Sequence, residues 1–352
     1  MKKIRVGIIG TGDIANLVHI PAYLKLKDRG VEIAALCDIK PSALERAHKD
    51  HALDVPTWSD YRKMLAEAKI DVVSVCTPNC MHMPATVAAL RAGKHVLCEK
   101  PIARSAREAR AMVAASRKYR RKLMIGQQWR WHDKAQVVRR AIDAGYLGEI
   151  YYARAHALRR RGIPGWGNFI SKEVQGGGPM VDIGVHILDL MLYLMDFPKP
   201  VSASGCAYTK FGRKKGVIGL LGAWDTQKFT VEDFAAGFVR FASGATLTIE
   251  ASFAANIADS VFNAWLLGTR GGVDVMGPKL FTEDAGTLWD RQAFGLSEKK
   301  GFPAHDREVE LFIEAVQKDK PVPVPGEQAL ITQKIIDAIY LSAQTGREVR
   351  IR

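Results

Sequence analysis

Five short apolar runs, separated by helix-like segments, occupy the first 128 residues and constrain the fold more than any other feature of the sequence. The runs are Ile4–Gly10, Val31–Asp38, Asp71–Thr77, His95–Glu99 and Leu123–Gln127. A strand that is apolar almost throughout is buried on both faces, and helices between such strands are the crossovers of a parallel sheet. Residues 1–128 are therefore predicted to form a doubly wound parallel sheet, and the fold class is α/β.

The sequence after residue 128 has a different pattern, and residues 129–352 are predicted to form a second domain. Hairpin signals surround the turns at Ser243-Gly244 and Thr269–Gly272, which indicates a large, mostly antiparallel open sheet in an α+β domain. Helices are expected in four segments of this half, which are Asp133–Ala144, Gly178–Met195, Asp306–Lys318 and Glu327–Gln344.

The composition excludes several classes of protein. A chain of 352 residues suggests about two domains, and 47% hydrophobic with 25% charged residues is ordinary globular composition. No apolar run approaches the roughly 18 residues of a membrane span, and Gly10 and Gly12 interrupt the segment after the basic start, so no signal peptide is predicted. The five cysteines contain no C-x-x-C pair, which favours reduced thiols and a cytoplasmic protein.

The net charge of +14 raises the question of nucleic-acid binding. The basic clusters are scattered along the chain and no nucleic-acid-binding motif accompanies them. We therefore predict a solvated basic surface and no nucleic-acid partner, and we leave open the attraction of a small anionic molecule.

A glycine-rich turn follows the first apolar run directly. Gly10 and Gly12 belong to a G-x-G-x-x-A motif that opens a helix, and Asp38 ends the second run 26 residues after Gly12. Such a turn lets a pyrophosphate approach main-chain N–H groups at a helix N-terminus, while an acidic residue at the next strand end binds the ribose hydroxyls. A dinucleotide site is predicted, with NAD preferred over NADP, although Lys40 could soften the repulsion of a 2′-phosphate.

Polar residues end the later runs, at the sheet edge where ligands of such folds bind. Thr77, Pro78 and Asn79 end the third run, with His82 soon after, and Glu99-Lys100-Pro101 ends the fourth. Turn-forming roles are available for most of these residues. An acid and a base directly after an apolar run favour a functional role for Lys100.

The segment Gly178–Met195 is apolar except for four residues in one stripe, namely Asp182, His186, Asp189 and Tyr193. At about 100° per residue the four fall within about 60° of the helix circumference. Three interpretations are open, which are a core ion pair, a metal site and general acid–base catalysis. Acid–base catalysis is favoured, and no metal is predicted because no further His and Asp cluster accompanies the stripe.

The combined motifs resemble the glucose–fructose oxidoreductase/inositol dehydrogenase/MocA (Gfo/Idh/MocA) family over essentially the whole chain. They are the glycine turn of Gly10 and Gly12, the segment Glu99-Lys100-Pro101, and the segment from Gly176 to Asp189 that contains D-x-G-x-H. The resemblance implies a Rossmann domain followed by an α/β domain on a large open sheet. It also implies a homodimer or homotetramer formed through that sheet, and a final helix, about 327–344, packed back on the first domain.

The resemblance further implies that Lys100, Asp182 and His186 contact the reacting hydroxyl of a substrate. The residues expected at the cofactor are Gly10, Gly12, Asp13, Ile14, Asp38, Thr77, Pro78, Asn79, His82, Glu99, Lys100, Gln128 and Trp166. Those expected at the substrate are Lys100, Trp129, Arg159, Asp182 and His186. One departure from many members is the sequence Gln127-Gln128-Trp129-Arg130-Trp131, and the run Arg159–Arg161 also looks specialised.

The sequence thus predicts an NAD-dependent dehydrogenase that oxidises a secondary alcohol of a sugar, glycoside or cyclitol. Alternatives are a keto-sugar reductase and an NAD-dependent glycoside-processing enzyme that acts through a 3-keto intermediate. A non-catalytic nucleotide sensor is a rival from another class, and the presence of Lys100, Asp182 and His186 together argues against it.

Overall fold

The computed structural model describes residues 3–294, 296 and 301–352, and the chain divides into two compact units. Unit 1 comprises the described residues of 1–128 and 299–330. Unit 2 comprises the described residues of 129–298 and 331–352. Each unit has its own sheet, and each is described separately below.

Unit 1 contains a six-stranded sheet in which all neighbouring strands are parallel. The strand order is β3-β2-β1-β4-β5-β6, so the chain crosses over at β1, as in a doubly wound sheet. The order confirms the predicted fold. The strands are β1 Ile4–Ile9, β2 Val31–Cys37, β3 Thr57–Trp58, β4 Val72–Val75, β5 His95–Cys98 and β6 Leu123–Ile125.

Helices connect these strands, and the first of them begins with a π-helical turn, Ala15–His19. A further helix of unit 1 comes from the C-terminal part of the chain. The helices in the first 128 residues are α1 Ile20–Leu24, α2 Pro41–His51, α3 Tyr61–Glu67, α4 Asn79–Arg91 and α5 Ala106–Tyr119, with short 3₁₀ turns at Lys27–Arg29 and Gln128–Trp131.

Unit 2 contains a nine-stranded sheet in the order β14-β13-β12-β11-β7-β10-β9-β8-β15. Among the described strands of this second sheet, only the β7–β10 pair is parallel, which confirms the predicted mostly antiparallel sheet. The strands are β7 Ile150–Leu158, β8 Pro200–Tyr208, β9 Phe234–Phe241, β10 Thr246–Ser252, β11 Val261–Gly268, β12 Gly271–Asp274, β13 Lys279–Asp284, β14 Thr287–Gln292 and β15 Val349–Arg350.

The helices after residue 128 include one that is buried along nearly its whole length. It starts with a second π-helical turn, Met180–Gly184, and its residues pack with the alanines of β7 in the core of unit 2. The helices are α6 Asp133–Asp143, α7 Lys172–Gln175, α8 Val185–Leu194, α9 Pro303–Gln317 and α10 Gly326–Thr345.

One helical stretch, Lys172–Leu194, reaches the length and hydropathy of a membrane span by composition. Within this fold, 89% of its most apolar window is buried, which is typical of a core helix. The described part of the chain therefore has no clear membrane-spanning helix. The five cysteines are free thiols, three buried and two half-buried.

The two C-terminal helices belong largely to different units, and the expectation that the last helix packs on the first domain stays a prediction. Of these two helices, α9 lies in unit 1, and its Asp306 forms an ion pair of 2.6 Å with Lys25. Residues 331–345 of α10 belong to unit 2, because Ile339 fits over Gly205 and Gly237 of neighbouring strands. A Cβ on either glycine would come within 2.7 Å of the Ile339 side chain.

Candidate active site

The glycine turn of unit 1 has two glycines with different requirements. Gly10 has φ +89°, and a Cβ there would lie 2.7 Å from the carbonyl oxygen of Cys76, so the packing of the turn against β4 demands glycine. A Cβ on Gly12 would meet no atom within 4 Å. The space beside Gly12 is therefore open within unit 1, which fits the close approach of a pyrophosphate to the main chain.

Asp38 is tied to this turn by its carboxylate. Oδ2 accepts a hydrogen bond of 2.8 Å from the Thr11 main-chain N–H, and Oδ1 accepts one of 2.9 Å from the N–H of Lys40. The half-buried carboxylate is thus held at the end of β2 beside the glycine turn. Each oxygen retains acceptor capacity for a ribose hydroxyl.

The start of the first helix contributes two further polar residues. Asn16 is 4% exposed, and its Nδ2 donates to the carbonyl oxygens of Thr11 and Gly12 at 2.6 and 2.9 Å, so it fixes the turn. Asp13 is exposed and forms an ion pair of 2.7 Å with Arg46, while Ile14 is half-buried. Asn16 was not predicted from the sequence, although an amide one helical turn after a glycine motif could have indicated it.

His82 lies in the first turn of α4, three residues after Asn79. Its ring nitrogens lie 2.7 Å from the carbonyl oxygen of Pro101 and 2.9 Å from that of Thr77. The side chain is fully buried, and burial lowers the pKa of the ring. His82 therefore joins the chain segments that follow β4 and β5.

Glu99 and Lys100 follow β5, as expected for residues at this edge of the sheet. Glu99 Oε1 lies 2.8 Å from Nε2 of His19, and the main-chain N–H of Lys100 donates to Glu99 Oε2 at 3.2 Å. Burial alone would raise the pKa of Glu99, but the hydrogen bond and charge of His19, with the charge of Lys100, hold the pKa at about 2. His19 was not predicted from the sequence.

The segment after β6 leaves unit 1 through two glutamines. The Gln127 main-chain N–H donates to Oε2 of Glu308, a residue of α9. Gln128 is half-buried and begins the 3₁₀ turn Gln128–Trp131. Its predicted place at the cofactor stays a prediction.

In unit 2, Asp182 lies within the second π-helical turn and His186 follows in the first turn of α8. π-helical turns are rare and occur often at functional sites. Asp182 Oδ2 is 4.0 Å from Nη1 of Arg159, and the Asp182 side chain is 14% exposed. His186 is 8% exposed. An acid, a base and a cation are thus held close together along one helix and the end of β7.

Glu232 holds the beginning of this π-helical turn. Its carboxylate accepts hydrogen bonds from the main-chain N–H groups of Gly178 and Met180, at 2.9 and 3.3 Å, and from the Tyr340 hydroxyl at 2.6 Å. Burial raises the pKa of Glu232, although these hydrogen bonds lower it. A carboxylate more than fifty residues away in sequence left no local signal, so Glu232 was not predicted from the sequence.

The other half of the predicted polar stripe has a structural partner. The Asp189 carboxylate binds Arg130 in a buried ion pair, and the Arg130 guanidinium also lies 5.4 Å from the centre of the Tyr193 ring. The stripe is therefore divided into two pairs of residues. Asp182 and His186 form one pair, and Asp189 and Tyr193 surround Arg130.

The aromatic and basic residues singled out in the sequence have different surroundings. Trp129 packs on Phe262 with ring centres 4.4 Å apart, whereas Trp166 is 50% exposed. Arg160 and Arg161 donate to main-chain carbonyl oxygens of the segment 255–258. These two arginines therefore hold that segment. Among the described residues, no group of three or more His, Cys, Asp or Glu side chains could hold a metal ion.

Comparison with known families accounts for both units. The model of the GFO/IDH/MocA oxidoreductase family, NAD-binding Rossmann fold, matches residues 4–127. The GFO/IDH/MocA C-terminal domain matches residues 135–274. Together the two matches cover more than half of the chain and confirm the resemblance seen in the motifs.

Individual proteins match over nearly the full length. D-glucoside 3-dehydrogenase of Escherichia coli K12 is 38% identical over 99% of this chain and 97% of that protein. 1,5-anhydro-D-fructose reductase of Ensifer adhaerens is 30% identical over 99% of this chain and 98% of that protein. The solved structure of levoglucosan dehydrogenase in complex with NADH has a TM-score of 0.86, with 22% identity and full coverage of both chains, which shows the same fold. The chain therefore belongs to the Gfo/Idh/MocA family of oxidoreductases, and its residues 4–127 form an NAD-binding Rossmann domain.

Proposed function

We propose that this oxidoreductase oxidises a secondary alcohol of a sugar, glycoside or cyclitol with NAD. The observation that carries the proposal is the 38% identity, over almost the whole chain, with a protein named D-glucoside 3-dehydrogenase. The surroundings of Asp38, Lys100, Asp182 and His186 support it, because each group has the chemistry that this reaction requires.

The chain's own residues would bind the dinucleotide through the glycine turn. Main-chain N–H groups at Gly12, Asp13 and Ile14 would face the pyrophosphate, and Asp38 would accept hydrogen bonds from the adenosine ribose. The other residues proposed near the cofactor are Gly10, Thr77, Pro78, Asn79, His82, Glu99, Lys100, Gln128 and Trp166.

Three side chains would act on the substrate hydroxyl. When bound, NAD supplies the acceptor for the hydride of the carbinol carbon. His186 would take the hydroxyl proton, since an imidazole titrates near neutral pH, and Asp182 would orient the reacting groups. The ammonium group of Lys100 would stabilise the negative charge that develops on the substrate oxygen.

The charges near Asp182 favour an uncharged substrate. Of the three arginines 159–161, Arg159 approaches Asp182, with its Nη1 4.0 Å from Asp182 Oδ2. The two opposite charges partly balance each other. Arg160 and Arg161 are engaged with carbonyl oxygens in the segment 255–258. A neutral ring with several hydroxyls fits this balance better than a sugar acid does, and Trp129 and Arg159 are proposed to contact it.

A second candidate is the same chemistry in the opposite direction. The 30% identity with 1,5-anhydro-D-fructose reductase favours a keto-sugar reductase. The same three side chains would serve this reaction, with His186 returning the proton. Oxidation of a glycoside to its 3-keto form, followed by cleavage, would be an extension of the first candidate.

The proposal is tested with a panel of neutral glycosides, free sugars, inositols and sugar acids. Purified protein is mixed with NAD and each compound, and NADH is followed by its absorbance; keto-sugars are tested with NADH. We expect a neutral glycoside or cyclitol to give turnover above that of any sugar acid. The proposal is wrong if no polyol and no keto-sugar reacts while NADH binds normally.

We further propose a cytoplasmic homodimer or homotetramer that forms through the sheet of unit 2. Three aromatic residues support this interface, since Tyr152, Trp265 and Phe238 share the sheet face opposite the buried alanines and are only half-buried. Light scattering after gel filtration measures the mass. A monomer at micromolar concentration would contradict the proposed interface.

A further inference from the structure

A buried histidine that the proposed reaction does not use lies beside the segment that contains Lys100. His19 ends the π-helical turn after the glycine motif, and its side chain is 1% exposed. We infer that His19 is a positioning residue for Lys100. His19 holds the Lys100 backbone in place through the carboxylate of Glu99. This inference rests on the function proposed above for Lys100.

The first support is a continuous set of hydrogen bonds across the sheet. His19 Nε2 lies 2.8 Å from Glu99 Oε1, and His19 Nδ1 lies 3.2 Å from the hydroxyl oxygen of Ser74 in β4. The Ser74 hydroxyl in turn lies 2.7 Å from the Tyr23 hydroxyl. The ionised Glu99 carboxylate can only accept, so His19 Nε2 donates to it, and the second contact at Nδ1 fixes the orientation of the ring.

The second support is the connection from Glu99 to the main chain of Lys100. Glu99 uses Oε1 for His19 and Oε2 for the N–H of Lys100, so one carboxylate joins the helix after β1 to the segment after β5. His82 fixes the same segment from the other side, since its ring lies 2.7 Å from the Pro101 carbonyl oxygen. The backbone at Lys100 is thus held by two separate side chains.

The third support is the charge around Glu99. His19 and Lys100 favour the ionised carboxylate and hold the pKa of Glu99 at about 2, while His305 of α9 is half-buried nearby and desolvation lowers its pKa to about 4. Glu308 of the same helix also approaches, since a Cβ on Gly126 would lie 3.3 Å from Glu99 Oε1 and 3.4 Å from Glu308 Oε1. A buried carboxylate stays ionised only when hydrogen-bond donors compensate its charge. His19 is the donor that the first helix supplies to Glu99.

The position of His19 connects the glycine turn with the Glu99–Lys100 segment. The helix that starts at the glycine turn ends its first π-helical turn at His19, so one short segment touches both the proposed pyrophosphate site and the Glu99–Lys100 segment. Loss of the His19 side chain would leave the glycine turn in place but release Glu99. We therefore expect an effect on turnover and a much smaller effect on dinucleotide affinity.

The test uses three single variants, one double variant and one control variant of the full chain. His19→Leu removes both hydrogen bonds, His19→Gln retains a donor for Glu99, and Glu99→Gln removes the charge of the acceptor. The control is Tyr23→Phe, which removes a buried hydroxyl from the far end of the same set of hydrogen bonds. For each variant we measure Tm, the Kd of NADH by fluorescence, and kcat with the best substrate of the panel.

We expect His19→Leu to lower kcat by about 10²-fold, as a misplaced group near the reacting atoms does, with little change in the Kd of NADH. His19→Gln should recover most of this loss. The double variant His19→Leu/Glu99→Gln should be no slower than the slower single variant, because both act through one contact. Tyr23→Phe should lower Tm and keep kcat.

The inference is overturned if folded His19→Leu keeps the wild-type kcat, if the two losses multiply in the double variant, or if His19→Gln is as slow as His19→Leu. A second readout needs no substrate. The rate at which an amine-reactive ester labels Lys100 is measured by mass spectrometry, with the exposed Lys40 as internal reference. A changed Lys100 rate in His19→Leu but not in Tyr23→Phe supports the inference even where the panel yields no substrate, and an unchanged rate contradicts it.

Discussion

The guanidinium of Arg130 and the carboxylate of Asp189 form a two-point ion pair inside unit 2, with Nε–Oδ2 and Nη2–Oδ1 distances of 2.7 and 2.8 Å. Both side chains are 1% exposed. The ring of Phe197 lies 4.8 Å from the guanidinium carbon. Asp189 therefore neutralises a buried arginine, and its two oxygens are both engaged in doing so.

Asp189→Ala is expected to destabilise the fold and to change turnover little. Removing one partner of a buried ion pair leaves an uncompensated charge, which costs about 3–5 kcal/mol. Urea unfolding measures the loss, and kcat is determined on the folded fraction. The double variant Arg130→Met/Asp189→Leu removes both charges and should recover part of the stability. A stable Asp189→Ala protein with greatly reduced kcat would instead assign Asp189 to the substrate.

His186→Ala is expected to lower kcat by about 10²–10⁴-fold, the usual contribution of a general acid or base. Lys100→Met should lower it by about 10²–10³-fold, as loss of one oxyanion donor does. The Kd of NADH should stay near that of the wild type, because the glycine turn and Asp38 bind the dinucleotide.

The matched control is His156→Ala, since His156 is a half-buried histidine of β7 in the same unit. Its kcat should equal that of the wild type. If His186→Ala and His156→Ala lost only stability, and to a similar degree, the acid–base role of His186 would be wrong.

The sequence predicted the secondary-structure elements that depend on a local pattern of residues. The five apolar runs contain β1, β2, β4, β5 and β6, and both hairpins of the second half formed near the expected turns. The short strands β3 and β15 and the strands β8, β13 and β14 were missed. Strand β8 is rich in small residues and glycine, because α10 packs closely on it, so its sequence lacks the branched residues that indicate a strand.

The partners of individual side chains could not be predicted in the same way. The stripe at Asp182, His186, Asp189 and Tyr193 follows from helical spacing, yet only the structure shows that Arg130 occupies one end of it. The π-helical turn at Met180–Gly184 also departs from the 100° spacing used in the prediction. His19 and Asn16 were missed because their partners, Glu99 and a main-chain turn, are set by the tertiary fold.

Stability is expected to fall as the pH falls from 6.5 to 2. Burial lowers the pKa of His305 to about 4, so between pH 6.5 and 4 the unfolded chain binds a proton that the folded chain does not. Glu99, with its pKa near 2, acts in the same direction below pH 4.5. For both groups, the contribution to stability is complete at pH values above the pKa of the group in the unfolded chain. It is lost as the pH falls toward the pKa of the group in the folded chain.

The variant His305→Gln tests the first of these contributions. Chemical unfolding at a series of pH values should give a slope between pH 6.5 and 4 that is smaller than the wild-type slope by up to about 1.4 kcal/mol per pH unit. Measurements at pH 7.5 supply the baseline for each protein. Equal slopes for the two proteins would show that His305 is protonated in the fold as it is in the unfolded chain.

The position of Asp38 predicts that NAD is used better than NADP. The carboxylate is fixed by the N–H groups of Thr11 and Lys40, at 2.8 and 2.9 Å, and cannot turn away from a 2′-phosphate without losing them. Asp38→Ala should reduce the preference for NAD by about 1–3 kcal/mol, the range for a hydrogen bond to a charged group. The ratio of kcat/KM for the two cofactors measures this change.

Two controls separate charge from structure at this position. Asp38→Asn keeps an acceptor for the turn and removes the charge, so it should lose the preference for NAD with less loss of Tm than Asp38→Ala. Lys40→Ala removes an exposed cation at the same strand end and should lower the remaining turnover with NADP. Equal use of NAD and NADP by the wild type would show that Asp38 only supports the glycine turn, since its hydrogen bonds to that turn would persist without any effect on the choice of cofactor.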